Sequence, residues 1–218
     1  MSNLSLENFE NGIKLYQDNG LYKFTSDAIN LAKLCKFKTS DHVLDMCAGS
    51  GVVGLYSYSV KPCKKLYFND IQPQMCELIK RNSQINNLND RASVICKNLK
   101  DLSLNDFEKP LDIIVCNPPY FKAEGKVKQD VSIAMCRHEI STNLGEIICK
   151  ASEIIKVGGQ FYLIIPADRL CECVILLNKG KFEVKDIEMH HTEGRVKTCL
   201  LKSVKCAKSG VKINIKGE

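Results

Sequence analysis

From Asp41 onward the apolar positions of the chain switch repeatedly between a strand period and a helix period. Val43-Leu44-Asp45-Met46, Lys65 to Asp70, Ser93 to Cys96, Leu111 to Cys116 and Phe161 to Ile165 are short, β-branched or aromatic runs that read as five buried strands. Between them the spacing predicts helices from about Val52, from Pro73 to about Ile85 and from Leu144 to about Ile155, the last stopped by Gly158-Gly159. A helix near Asp168 to Leu177 and two final strands, Phe182 to His190 and Val196 to Val204, complete the series. Alternation of this kind implies an α/β fold with a largely parallel sheet and helices on both faces. Ahead of it, Ile13 to Gln17, a turn at Asp18-Asn19-Gly20, and Leu21 to Phe24 read as a hairpin. Thr25-Ser26-Asp27 then cap a helix carrying Ala28, Ile29, Leu31, Ala32 and Leu34. The expected organisation is residues 1–40 as a hairpin and helix packed on a core domain of residues 41–218, with no linker and no repeat.

The 218 residues suffice for one domain that buries about 70% of its unfolded surface. Twelve cysteines are scattered without a C-x-x-C pair, and the four histidines share no ligand spacing with them. Reduced thiols acting as small hydrophobes are expected, and no metal. The polar start of the chain carries no signal-peptide pattern and no apolar run reaches membrane-span length, so a cytoplasmic protein with no membrane partner is expected, as a monomer. Lys and Arg number 31 against 25 Asp and Glu, a net charge of +6. Between Arg195 and Lys216 lie Arg195, Lys197, Lys202, Lys205, Lys208, Lys212 and Lys216 with no acid among them, a distribution that suits a polyanion such as RNA or DNA.

The chemistry concentrates where the fourth strand ends in Asn117-Pro118-Pro119-Tyr120. Two successive prolines fix φ and remove N–H donors, leaving a stiff corner with free carbonyls. The Asn117 side-chain oxygen and the Pro118 carbonyl can each accept one N–H of a planar exocyclic amine, with Tyr120 stacking on the ring. The same four residues also suit a rigid strand exit with no chemistry. The first strand supplies the other half: it ends in Asp45 and turns through Met46-Cys47-Ala48-Gly49-Ser50-Gly51, where small residues at 48, 49 and 51 let a ligand approach the backbone. The second strand ends in Asp70, placed to accept ribose hydroxyls. Gly49 to Gly54 also spells the dinucleotide pattern G-x-G-x-x-G. Asp45 would repel a pyrophosphate there, whereas it suits the ammonium of a methionine moiety, so S-adenosylmethionine is the better reading.

Asp45 to Gly51, Asp70 and Asn117 to Tyr120 resemble the motifs of class I amino-methyltransferases acting on nitrogen. Leu21 to Ala28, Asn117 to Phe121 and Arg137-His138-Glu139 extend the resemblance over nearly the whole chain, to the bacterial tRNA adenine-N6 methyltransferases that modify adenine 37 of a valine tRNA. The resemblance implies a Rossmann-like class I fold with a seven-stranded, mostly parallel sheet and a C-terminal antiparallel hairpin. It implies S-adenosylmethionine held by Asp45, Ala48, Gly49, Gly51, Asp70, Ile71 and Asn98. It also implies transfer to the N6 of an anticodon-loop adenine at Asn117, Pro118, Pro119 and Tyr120, with Phe121, Lys122 and Arg137 contacting the tRNA. Two positions depart from the family pattern. Cys47 replaces a glycine, tolerable if its φ is negative, and Asn98 replaces an Asp that contacts the cofactor's adenine amine, so a weaker, neutral acceptor stands there.

Arg137 and His138 follow a loop with Lys122, Lys126 and Lys128, and Arg137 has Glu139 and Asp130 as alternative surface partners. The His190-His191 pair reads as structural. Competing activities are methylation of a protein glutamine amide, of RNA guanine N2 or of DNA adenine N6, and a non-catalytic RNA-binding module.

Overall fold

The computed structural model describes residues 4–118 and 143–217. Two antiparallel strands, β1 (Leu4–Asn8) and β2 (Lys14–Asp18), lead to α1 (Ser26–Leu34). There follow β3 (His42–Met46), α2 (Val52–Val60), β4 (Lys65–Asp70), α3 (Pro73–Ile85), β5 (Ala92–Cys96) and β6 (Leu111–Cys116). The second half contains α4 (Leu144–Ile154), β7 (Ile155–Pro166), α5 (Leu170–Lys179), β8 (Phe182–Thr192), β9 (Arg195–Lys205) and β10 (Lys212–Gly217).

The main sheet has the order β10-β8-β9-β7-β6-β3-β4-β5. β5, β4, β3, β6 and β7 run parallel, and β9 inserts antiparallel between β7 and β8 to form the C-terminal hairpin. Successive residues of β3 feed opposite layers, as strand geometry requires. Leu44 and Met46 join Ile114, Phe161, Ile147, Ile148 and Leu177 under α4 and α5, while Val43 joins Val115, Phe68, Leu31, Leu55 and Ile79 under α1, α2 and α3. The chain therefore reverses its direction of growth at β3, with β4 and β5 on one side and β6 and β7 on the other. The crevice that such a reversal opens lies at the carboxyl ends of β3, β4 and β6.

Three expectations are corrected. The sheet has eight strands rather than seven, because β10 adds parallel to β8 at the edge. Every residue of β10 is exposed, so its Lys-Ile-Asn-Ile-Lys alternation buries no face and reads in sequence as a charged tail. The N-terminal hairpin pairs Leu4–Asn8 with Lys14–Asp18, not Ile13–Gln17 with Leu21–Phe24. Asp18 accepts Gly20 N–H on Oδ1 at 2.8 Å and Leu21 N–H on its carbonyl at 3.1 Å, a turn that sends the chain away towards α1 instead of back along β2. Finally, α4 stops at Ile155, which is already extended, before the two glycines. Gly158, at φ +77°, lies in an excursion of β7 between its pairing of Ile155 with Leu111 and of Gln160 with Ile113.

Candidate active site

The turn after β3 is held open by carboxylates and carbonyls rather than by its own backbone alone. Ala48 N–H donates to Asn69 O at 2.9 Å and Gly51 N–H to Ala48 O at 2.8 Å. Asp45, 1% exposed, accepts Gly54 N–H on Oδ2 at 2.8 Å. Asp70 accepts Gly49 N–H on Oδ2 at 2.9 Å and Gln72 N–H on Oδ1 at 2.9 Å, bridging the turns after β3 and β4. The three glycines do different work. Gly49 adopts φ +55° and a Cβ there would meet open space, so this position borders the pocket. At Gly51, a Cβ would press on Phe68 at 3.2 Å, and at Gly54 on Phe68 at 2.8 Å and Asp45 Oδ2 at 3.1 Å. Those two set how closely α2 packs on the sheet, which is also why Gly51 does not line the pocket itself.

The pocket offers about 870 Å³, counting the space open to solvent. Asp45, Ala48, Gly49, Asp70, Ile71, Asn98 and Asn117 line it together. Burial pushes the Asp45 carboxyl up to about 8, against the lowering effect of the Gly54 N–H, and Asp70 nearby adds to the rise. Burial also raises Asp70, and the Gln72 and Gly49 N–H groups offset only part of that rise. A buried carboxylate with one backbone hydrogen bond and no ion pair among the described residues favours a cation in the space beside it. Asn98 spends its Oδ1 on Lys100 N–H at 3.0 Å, capping the 3₁₀ turn Leu99–Asp101, so one lone pair and the amide N–H groups remain for a ligand. Among the described residues no cluster of His, Cys, Asp and Glu could hold a metal ion.

Asn117 follows β6 and reaches the pocket half-buried, while Pro118 is buried and does not line it. Pro119, Tyr120, Phe121, Lys122 and Arg137 lie outside the described residues, as do Lys126, Lys128, Asp130, His138 and Glu139.

Cys47 contradicts the condition set for it. Its φ is +59°, the left-handed region, so it holds a conformation that glycine adopts freely. Cys47 lines the pocket, and the buried Cys116 thiol has its pKa raised by burial and by the neighbouring Cys47. Of the cysteines described, Cys96, Cys149, Cys171 and Cys206 are exposed, so the reading of the thiols as interior hydrophobes holds only for part of the set.

Sequence reasoning missed the near wall. Tyr22, Phe24 and Ala28 line the pocket from the segment entering α1. The aromatic alternation at 22 and 24 was visible, but strand periodicity absorbed it. It also missed Asn82, fully buried on α3, which donates to Ser50 O at 3.0 Å and so fixes the turn from behind. A polar residue on the apolar stripe of Met75, Leu78 and Ile79 was its signal.

No helix among the described residues is long and apolar enough to cross a membrane. In a comparison with known proteins, the chain is 32% identical over 131 residues to a protein named tRNA1(Val) (adenine(37)-N6)-methyltransferase from Porphyromonas gingivalis, an alignment covering 59% of this chain and 51% of that protein. A relative of the same name from a Flavobacteriaceae bacterium is 25% identical over 150 residues, 69% of this chain and 62% of its own. The chain thus spans about half to three fifths of the length of these curated relatives. Among solved structures, Methanocaldococcus jannaschii Trm5 in complex with adenosine superposes with a TM-score of 0.70 at 20% identity, over 95% of this chain and 58% of that one. That likeness is one of fold: a mostly parallel sheet with helices on both faces. The family model described as "Methyltransferase small domain" matches residues 26–189, from the start of α1 into β8, and the chain belongs to that family.

Proposed function

We propose that this chain is an S-adenosylmethionine-dependent N-methyltransferase acting on the exocyclic N6 of adenine in tRNA, at position 37 of the anticodon loop of a valine tRNA. The observation that carries the reading is that Asn117 lines the same pocket as Asp45 and Asp70. An amine acceptor and a cofactor cradle therefore share one crevice. The names of the curated relatives support the choice of base and of RNA.

The residues fit the cofactor. Asp45 answers an ammonium, Asp70 retains lone pairs for ribose hydroxyls, and Ala48, Gly49, Ile71 and Asn98 border the remaining space. Gly51 supports the turn from inside. When bound, S-adenosylmethionine supplies a methyl group on a sulfonium that departs as a neutral thioether. The chain's own task is then positioning. Asn117 Oδ1 accepts one amine hydrogen and, although Pro118 does not line the pocket in the free chain, its carbonyl is assigned the other; together they hold the nitrogen lone pair out of conjugation with the ring and aim it at the methyl carbon. Pro119 stiffens that corner. Tyr120 and Phe121 stack on the unstacked base, offsetting the few kcal/mol that extrusion from an anticodon loop costs. Lys122 and Arg137 contact the RNA. The proton lost by the methylated amine passes to solvent, so no titrating base is required. The setting is a cytoplasmic enzyme, monomeric, with residues 1–40 closing one wall of a core formed by 41–218.

The test is incubation with labelled S-adenosylmethionine and unmodified tRNA transcripts, digestion to nucleosides and identification of the product by chromatography and mass spectrometry. N6-methyladenosine confined to a valine transcript is expected. Label on another base, such as guanine N2, would keep the fold and mechanism and discard the adenine assignment, and no label despite tight cofactor binding would favour a protein glutamine amide or DNA as substrate.

A further inference from the structure

Three cations of the basic stretch, Arg195, Lys197 and Lys216, lie at the end of the sheet that carries the pocket, whereas Lys205, paired with Phe182, lies at the opposite end. In register, Lys216 of β10 pairs with His190 of β8, which pairs with Thr198 of β9, which pairs with Pro166 at the end of β7. Residues in one such row share a face of the sheet. That face carries α1, since His190 Nδ1 lies 3.4 Å from Asn30 Nδ2 and Thr198 Oγ1 lies 3.5 Å from Asp27 Oδ1. Asp27 adjoins Ala28, which lines the pocket. Two strand spacings of about 4.8 Å separate Lys216 from Thr198, so the row reaches outward from the pocket wall to the sheet edge.

The β8–β9 hairpin tip projects from the same end. Glu193 (φ +55°) and Gly194 (φ +75°) form a two-residue turn with both residues left-handed, the geometry that continues the strand twist. Thr192 pairs with Arg195 beneath it. One residue on, β8 pairs His190 with Thr198 but His191 with Val196, so Lys197 is the extra residue of a bulge. Bulges at a sheet rim redirect side chains. Arg195, Lys197 and Lys216 are all exposed. Arg195 and Lys216 have no ion pair among the described residues, and Lys197 has only Glu193, at 3.5 Å with both side chains largely in solvent. Cations left unneutralised at one rim of a pocket match a chain of phosphates, not a small substrate.

We propose that Arg195, Lys197 and Lys216 form a docking rim for the RNA phosphates that flank the base entering the pocket. The inference rests on the RNA reading above and extends it to a surface outside the cofactor and amine sites. Contacts of this kind position the strand without reading sequence.

The experiment is fluorescence anisotropy with a labelled, unmodified anticodon stem-loop RNA over a series of salt concentrations. It compares the wild type with the triple variant Arg195→Gln, Lys197→Gln, Lys216→Gln. The triple variant should bind the RNA about tenfold or more weakly, and its log Kd against log salt slope should fall by roughly 2, at ~0.7 per lost single-strand phosphate contact. S-adenosylmethionine affinity by calorimetry should not move. Glu193→Asn suits the left-handed turn and frees Lys197, so it should tighten RNA binding, an outcome that loss of folding cannot imitate. Equal affinity and slope in wild type and both variants would overturn the rim while leaving the proposed function standing. A wild type that neither binds nor methylates RNA would overturn both.

Discussion

Asn82 and Tyr16 are hydrogen-bonded in both directions: Tyr16 N–H donates to Asn82 Oδ1 at 2.7 Å, and Asn82 Nδ2 donates to Tyr16 O at 3.1 Å. One helical turn later Asn86 repeats the arrangement with Lys14, at 3.0 and 2.6 Å. Two asparagines at i and i+4 on α3 thus pair with alternate residues of β2 as a neighbouring strand would, covering an edge that would otherwise be open. Because Asn82 also donates to Ser50 O, the N-terminal hairpin, α3 and the turn after β3 are tied at one buried point.

Removing that point should be costly. Asn82→Ala leaves the Tyr16 amide and carbonyl and the Ser50 carbonyl without their partner, an expected loss of about 2 to 4 kcal/mol. Asn86→Ala exposes its backbone partners to water and should cost about 1 kcal/mol or less. Denaturant unfolding of the two variants measures the difference, and equal losses would show that the Ser50 connection contributes nothing.

Asp45 makes the free protein sensitive to pH. Its folded value lies above that of an exposed carboxyl, so the folded state holds this proton more tightly than the unfolded state. The resulting stabilisation is fully present below about pH 4 and is lost as pH rises towards about 8. A cation seated beside the carboxylate reverses the preference, so binding S-adenosylmethionine near pH 6.5 should release up to one proton. Calorimetry in two buffers of different ionisation enthalpy reads that release. Asp45→Asn should abolish it and weaken binding, and an unchanged release in the variant would assign the proton elsewhere.

Cys47 tests the backbone of the same turn. At φ +59° a β-branched side chain is strained, so Cys47→Val should cost about 2 kcal/mol or more and loosen cofactor binding. Cys47→Gly relieves the φ restriction while surrendering the Cys116 contact, and should stay within about 1 kcal/mol of the wild type. Thermal unfolding with and without S-adenosylmethionine distinguishes the two. A valine variant as stable as the glycine one would mean that the turn tolerates a different conformation.

The elements that build the crevice were legible because their sequence signals are local and uncontested. Pro73 opens α3 and Ile85 closes it as the periodicity indicates, and the apolar run Leu111–Cys116 is β6 without adjustment. That Asp45, Asp70 and Asn117 line one pocket was legible for a related reason, since polar residues at or beside the ends of buried strands must face something. What escaped depends on distant partners. β10 is specified by the free edge of β8, and β1 by the pairing that Leu4 to Asn8 offers to β2. Tyr22 and Phe24 become pocket wall only because Asp18 turns the chain towards α1. The left-handed φ of Cys47 had one signal, the glycine that the family pattern puts at that position, and nothing in the neighbouring residues announces it.

Asn117 separates binding from chemistry. It lines the same pocket as the carboxylates assigned to the cofactor, and its assigned work is to accept one amine hydrogen in the transition state. Asn117→Ala removes that acceptor without touching Asp45, Asp70 or the turn between them, so kcat should fall roughly 100-fold to 1,000-fold, in line with other preorganised hydrogen bonds to reacting groups. Cofactor affinity by calorimetry should stay within about twofold. Asn117→Asp tests the charge: it keeps an acceptor but adds a third carboxylate to the pocket of Asp45 and Asp70, which should strengthen attraction for the cationic cofactor while activity remains low because the neutral geometry is lost. Cofactor binding lost along with turnover in the alanine variant would move Asn117 from the amine site into the cofactor site, and would leave the pairing of an amine acceptor with a cofactor cradle without its support.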